Sequence, residues 1–327
     1  MHKCAVCSLK RGKRKNEKGE VEHSMTLATI LSRVAKQSSL TVAVAAAEDL
    51  ETIEAVHEAV SREVSEFILF GNETTINELF RHYRPSLLTH KAVTVVHTES
   101  VLEAAQLAVR SVQQGQAHIV MKGNLSTSLI LKAVLNKEHG LRTGNVLSHV
   151  AVFDVPYYDR PILVTDAAMN ITPSLEEKVQ IIQNAVNVAH SIGIEVPKVA
   201  PIAAVEVVNP LMPATVEAAL LTQMNRRGQI KSCVIDGPLA LDNAINIEAA
   251  KQKGIQSEVA GQADILLVPA IETGNVLYKS LIYFAKAKVG AILAGAKAPV
   301  VLTSRADSSE SKLYSLALAI SVAQQNS

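Results

Sequence analysis

Residues Pro299 to Lys312 read as a buried strand that ends in a polar loop and feeds a C-terminal helix. Ser304 and Arg305 stand where the strand stops, the end that faces ligand in open α/β sheets. The following helix starts near Asp307 or Ser308, so its first N–H groups favour an anion at the same place. Arg305 adds an always-charged fork suited to phosphate or carboxylate. A second reading stays open. Asp307 with Glu310 three residues on is a capping-box pattern, in which both acids serve the helix end and Arg305 is a surface charge.

Four other loops have the same layout. The strand His118–Met121 runs into Lys122-Gly123-Asn124-Leu125-Ser126-Thr127 and then a helix. Glycine allows close approach of backbone to ligand, and the Lys, Asn, Ser and Thr side chains supply donors. The spacing is not that of a Walker loop. Thr165 to Asn170 contributes Asp166 and Asn170, Asp236 to Asp242 contributes Asp236, and Glu272 to Lys279 contributes Asn275 and Lys279. Each follows an apolar strand and precedes a helix. Five such loops in one chain predict a cleft between two α/β domains.

The elements that must position these loops alternate along the chain. β-branched and alanine-rich runs at Leu40–Ala46, Phe67–Phe70, Val93–His97 and His118–Met121 are separated by helical spacing at 48–61, 74–82 and 100–114. Alternation of this kind implies mostly parallel sheets with right-handed crossovers. In the second half, strands are expected at 150–155, 162–165, 198–208, 231–235, 265–268, 289–294 and 299–303. Helices are expected at 172–191, 213–226, 245–253 and 274–287. At 327 residues, two domains are the default. The expected division is 25–147 plus 290–327 for the first and 148–289 for the second, each a three-layer α/β/α unit.

Residues 1–24 differ from the rest. They carry seven basic residues against three acidic ones without hydrophobic period, so they read as a disordered leader. Met25, opening an amphipathic helix to Lys36, is the expected natural start. Over the whole chain 32 Lys and Arg nearly balance 31 Asp and Glu, aromatic residues are 3%, and Trp is absent. No basic stripe with stacking rings argues for nucleic acid. The apolar runs are too short to span a bilayer and the basic N-terminus lacks an apolar signal core, so a cytoplasmic location is expected. Cys4 and Cys7 form a C-x-x-C, but Cys233 is the only other thiol, so a four-Cys zinc site cannot form. The histidines, His149 among them, lack metal-ligand spacing, and neither G-x-S-x-G nor G-x-G-x-x-G occurs. No metal and no bound cofactor are expected.

Taken together, Met121–Thr127, Leu141-Arg142-Thr143-Gly144, Ser148–Phe153, Thr165–Asn170, Asp236-Gly237-Pro238, Glu272–Lys279 and Thr303–Ser308 resemble the phosphate acetyl/butyryl transferase family. Val205 to Pro213 looks like the butyryl branch. The resemblance implies a two-domain fold related to isocitrate and isopropylmalate dehydrogenases, with the site in the interdomain cleft. It implies that a short-chain acyl-CoA of butyryl type plus phosphate interconverts with acyl phosphate plus free CoA, with no covalent enzyme intermediate. Acyl-CoA and phosphate would be substrates, and the protein a homodimer or higher homo-oligomer. Arg305 would hold phosphate, with Lys132 or Arg142 as a second cation, and Ser304 would stabilise the oxyanion. The acetyl branch places a proposed thiol base, an Asp, seven residues after the Ser. Here Ser311 stands there, leaving Glu310 or Asp307 as candidates. The alternatives are a phosphate acetyltransferase, a decarboxylating dehydrogenase on the same fold, and a CoA-binding protein without activity.

Overall fold

The computed structural model describes residues 25–35, 40–302 and 308–326. The leader, Cys4, Cys7, the end of the helix expected to Lys36, and Thr303 to Asp307 with Ser304 and Arg305 lie outside the described residues. The first half runs α1 (Leu27–Val34), β1 (Thr41–Ala45), α2 (Leu50–Ser61), β2 (Glu66–Gly71), α3 (Glu73–Tyr83), β3 (Val93–His97), α4 (Val101–Gln113), β4 (Ile119–Lys122) and α5 (Thr127–Val134). Its five α-helices open on a side-chain acceptor, from Thr26, Asp49, Asn72, Ser100 and Ser126, each satisfying an N–H that the helix leaves open.

The second half runs β5 (Ser148–Asp154), β6 (Ile162–Thr165), α6 (Leu175–Ser191), β7 (Lys198–Pro201), α7 (Pro213–Arg226), β8 (Val234–Ile235), α8 (Leu241–Ile245), α9 (Ile247–Gln252), β9 (Ile265–Leu267), α10 (Ile271–Tyr283) and β10 (Lys288–Ala294). The chain then returns through β11 (Val300–Val301) to α11 (Ser309–Asn326). Three expectations change. The strand expected at 198–208 stops at Pro201, with only an isolated bridge from Ile202 to Leu239 beyond it, and Asn209 further on is held by Thr215 Oγ1 on both its N–H and its C=O at 2.9 and 3.0 Å. The helix expected at 245–253 starts two residues later as α9, where the Asn246 side chain caps it by accepting from Glu248 N and Ala249 N, and a separate short helix, α8, precedes it. The loop expected at 272–279 is the first half of α10.

The strands form one eleven-stranded sheet, ordered β3-β2-β1-β4-β11-β10-β5-β6-β9-β7-β8. Two separate sheets were expected; the seven-residue antiparallel ladder from Lys288↔Asp154 to Ala294↔Ser148 joins them instead. The pairings β11–β10, β10–β5 and β5–β6 are antiparallel and the others parallel, as crossover helices require. Because side chains alternate across a strand, each face collects its own core. One face carries a single core from Leu27 to Ala323, covered by α1, α2, α3, α6 and α11. On the other face the core is split. Ala43, Val120, Leu293 and Val300 pack under α4 and α5, whereas Ala151, Phe153, Ala291 and Leu266 pack under α8, α9 and α10. The seam runs along β10, between Leu293 and Ala291. Among the described residues no helix is long and apolar enough to cross a membrane.

Candidate active site

β1 is flanked by β2 on one side and β4 on the other, and the chain after β1 leads to α2 on one face of the sheet whereas the chain after β4 leads to α5 on the other. This is the switch point at which doubly wound sheets hold ligand. The two loops are locked backbone to backbone: Gly123 N donates to Ala45 O at 2.8 Å and Asn124 N to Ala46 O at 2.6 Å. A Cβ at position 123 would stand 2.2 Å from Ala46 O, so only glycine permits this approach. Lys122 ends β4, is 6% exposed, and donates from Nζ to Gly123 O at 3.3 Å. Its parity with Val120 puts it on the split face. Ser126 caps α5, accepting from Leu129 N at 3.3 Å with Ser128 Oγ at 3.0 Å. Exposed Thr127 follows at the start of the helix. The sequence-predicted cluster 122–127 is therefore assembled around one buried cation and one helix N-terminus.

Across the seam, buried His149 shares a strand face with Ala151 and Phe153, and Tyr278 of α10 packs edge-on to both rings at 5.7 and 5.3 Å. Asp166 is 2% exposed, and its carboxylate organises its own loop. It accepts from Ala168 N, Met169 N and Asn170 N at 2.9, 3.0 and 3.2 Å and from Asn170 Nδ2 at 2.6 Å. Asn170 Nδ2 also donates to Leu147 O at 2.8 Å. Met169 packs against the first half's core, so this loop spans the seam. Gly274 lets α10 ride on it, since a Cβ there would meet Asp166 O at 2.7 Å. Half-buried Asn275 and exposed Lys279 lie one turn apart on that helix.

Other predicted residues go elsewhere. Lys132 lines a cavity of about 350 Å³ between α4 and α5, with Gln106, Arg110, Asn136 and His139. Arg142 is exposed on the connector before β5. Asp236, at the end of β8, pairs with Arg226 at 3.4 Å and is seven strands from β4. At about 4.8 Å per strand that is roughly 30 Å, too far to share a site with Lys122. Glu310 sits in the first turn of α11, where it accepts from Lys288 Nζ at 2.7 Å and Tyr314 Oη at 2.9 Å. The Lys288 hydrogen bond is the main cause holding its carboxyl below the ordinary range, which makes it a weaker proton acceptor than a free glutamate. Ser308 Oγ accepts from Ser311 N at 3.1 Å at the start of the helix; Asp307, the other half of the expected capping box, lies outside the described residues.

Sequence reasoning passed over His149 and Tyr278, because histidine was tested for metal spacing alone. The alternation Ser148-His149-Val150-Ala151 was the available signal, placing His149 on the strand face that carries Ala151 and Phe153.

The phosphate acetyl/butaryl transferase family profile matches residues 85–320. A probable phosphate butyryltransferase of Bacillus subtilis is 56% identical over 92% of this chain and 99% of its own length. The phosphate butyryltransferase of Clostridium beijerinckii is 50% identical over 91% of this chain and 97% of its own. The crystal structure of a branched-chain phosphotransacylase from Enterococcus faecalis superposes with a TM-score of 0.77 at 39% identity, covering 87% of this chain and 99% of that one. Profile, sequence and fold agree: this chain belongs to the phosphate acetyl/butaryl transferase family.

Proposed function

We propose that this enzyme is a phosphate acyltransferase of the butyryl type, interconverting a short-chain acyl-CoA and phosphate with acyl phosphate and CoA. What carries the reading is membership of the family over nearly the full length of its relatives. A phosphate oxygen attacks the thioester carbonyl carbon, whose oxygen takes the electron pair as an oxyanion. Collapse breaks the C–S bond and releases CoA thiolate. Such a reaction needs two substrates held in line and fixed positive charge where the oxyanion forms. Buried Lys122 and the start of α5 supply charge of that sign at the switch point. Arg305 as phosphate holder, Ser304 as oxyanion donor and Arg142 as second cation complete the proposed set. A CoA thiol has a pKa of about 8.5, so the leaving thiolate benefits from the same cationic field. Because Lys288 already holds Glu310 as its anion, Glu310 is assigned to fastening α11 against β10 and not to the thiol. CoA enters as a substrate, with no resident cofactor.

The split core supports a division into two lobes, 25–147 with 290–327 and 148–289, in an isocitrate-dehydrogenase-like arrangement with substrates in the seam. Val207, Val208, Leu211 and Phe284 are 62, 55, 90 and 88% exposed, which favours a homo-oligomer that covers them. Cytoplasmic residence accords with CoA as substrate.

The test is release of free thiol from acetyl-, butyryl- and isobutyryl-CoA, with and without phosphate. Phosphate-dependent release, fastest with a four-carbon acyl group, is expected. No phosphate-dependent release from any of the three would end the reading; fastest release from acetyl-CoA would replace butyryl by acetyl.

A further inference from the structure

The chain crosses the seam twice, outward through residues 141–148 and back through 294–299, and α6 fastens both crossings. Gln180 Oε1 accepts from Val146 N at 2.9 Å. Asn184, 8% exposed, donates from Nδ2 to Val146 O at 3.0 Å and Ser148 Oγ at 2.9 Å, and reaches Ala294 O at 3.5 Å. The crossings also hold each other. Thr143 Oγ1 donates to Gly295 O at 2.6 Å and Lys297 N to Leu141 O at 2.8 Å. Gly295 has φ +99°, and a Cβ on it would stand 2.2 Å from Val146 O and 2.9 Å from Asn184 Nδ2. Asn170 closes the group through Leu147 O.

One side chain thus touches the outgoing connector, the first residue of β5 and the last residue of β10. We propose that Asn184 is a positioning residue. It registers both crossings against α6 and thereby holds Arg142, one residue before Thr143, and Asn170 in place at the seam. The clasp stands on its geometry alone, and the consequence for phosphate rests on the acyl-transfer reading and its role for Arg142. A carboxamide is suited to the task because its Nδ2 has two hydrogens to share among backbone and hydroxyl acceptors. A merely structural asparagine would stabilise the fold without linking the two crossings.

Hydrogen exchange on the full chain tests the clasp without reference to activity. In Asn184→Ala, exchange should rise together in 141–148 and 294–299, roughly tenfold for a buried bond of ordinary strength, and stay unchanged in β1. A rise at one crossing alone, or throughout the chain, would overturn the proposal. Gln180→Ala is the milder variant in case Asn184→Ala does not fold. Its effect should be confined to 141–148, and no rise there would be equally fatal. Steady-state kinetics then test the consequence. Asn184→Ala should raise the KM for phosphate about tenfold with Arg142 present and less than about twofold in an Arg142→Ala background. Equal effects in both backgrounds would refute positioning through Arg142. Absence of phosphate-dependent turnover in the unmodified protein would instead indict the functional reading, and exchange would still decide the clasp.

Discussion

Substituting Gly123 by alanine separates local packing from site geometry in one step. The new Cβ would lie 2.2 Å from Ala46 O, 2.8 Å from Ala45 O and 2.9 Å from Ala46 C, all backbone atoms that no rotamer change can move. A carbon–oxygen contact needs about 3.3 Å, so the β1 and β4 loops must part by about 1 Å. That stretches the bonds from Gly123 N to Ala45 O and Asn124 N to Ala46 O, now 2.8 and 2.6 Å, beyond hydrogen-bonding range. Two backbone bonds at about 1 kcal/mol each plus about 1–3 kcal/mol of overpacking give a loss of roughly 3–5 kcal/mol. In a protein of this size the Tm should fall by about 10 °C. Because the displaced loop carries Lys122 and the start of α5, kcat/KM per folded molecule should fall by about a hundredfold, the cost of a 1 Å misplacement. Gly115→Ala is the control. Nothing lies within 4 Å of its Cβ, but φ is +76°, so it should lose only about 1–2 kcal/mol and leave turnover alone. A Gly123→Ala protein with a Tm within about 2 °C of the parent and normal kcat/KM would refute the reasoning.

Gly274→Ala pits two effects against each other. Helix propensity gains about 1 kcal/mol, but the methyl meets Asp166 O at 2.7 Å and Ala167 Cα at 2.8 Å, so a net loss of about 1–2 kcal/mol should appear in denaturant melts; a gain would show that α10 can retreat freely. Lys288 lowers the pKa of Glu310, so this pair's stabilisation is present above the ordinary carboxylate pKa and lost as pH falls through the folded value. Glu310 raises the pKa of Lys288, so the same stabilisation is lost as pH rises through that folded value. The stability difference between parent and Glu310→Gln should therefore be flat from about pH 5 to about pH 10, vanish beyond both ends, and stay under about 1 kcal/mol because both partners are half exposed. Turnover at pH 7 should survive this change, and a loss of more than about tenfold would return Glu310 to the chemistry. Burial pushes the Cys233 thiol up to about 11, so alkylation at pH 8 followed by peptide mapping should leave it unmodified in the folded protein; labelling at the rate of the unfolded chain would contradict its burial.

The sequence carried those features that are local. Caps such as Ser100 and Ser126 lie within three residues of the N–H they satisfy, and strands and helices alternate with periods visible in short windows. What stayed hidden depends on partners far along the chain. Lys288 pairs with Asp154 across more than a hundred residues, and nothing near either one announces a single sheet. The helix was expected to start at Gly274, but nothing in the sequence shows that this glycine admits the backbone of Asp166 and Ala167. Asp236 shares the strand-end pattern of the switch-point loop, and only the strand order shows it to lie seven strands from β4. The pairing of Glu310 on α11 with Lys288 on β10 is likewise a contact that the sequence near Glu310 does not announce.

The place of β10, β11 and α11 in the sheet sets a timetable for biosynthesis. The strands that lie between β4 and β5 are among the last to be made. So is the helix whose Leu313, Leu316, Leu318 and Ile320 are each no more than 3% exposed in the common core. A nascent chain that has emerged only through α10 has open edges on both β4 and β5 and an uncovered apolar face, the features that recruit wrong partners. The two halves therefore cannot mature one after the other on the ribosome. Final assembly waits until β10, β11 and α11 have emerged, and a ribosome-stalled chain truncated after Tyr283 should be bound by holdase chaperones where the finished protein is not.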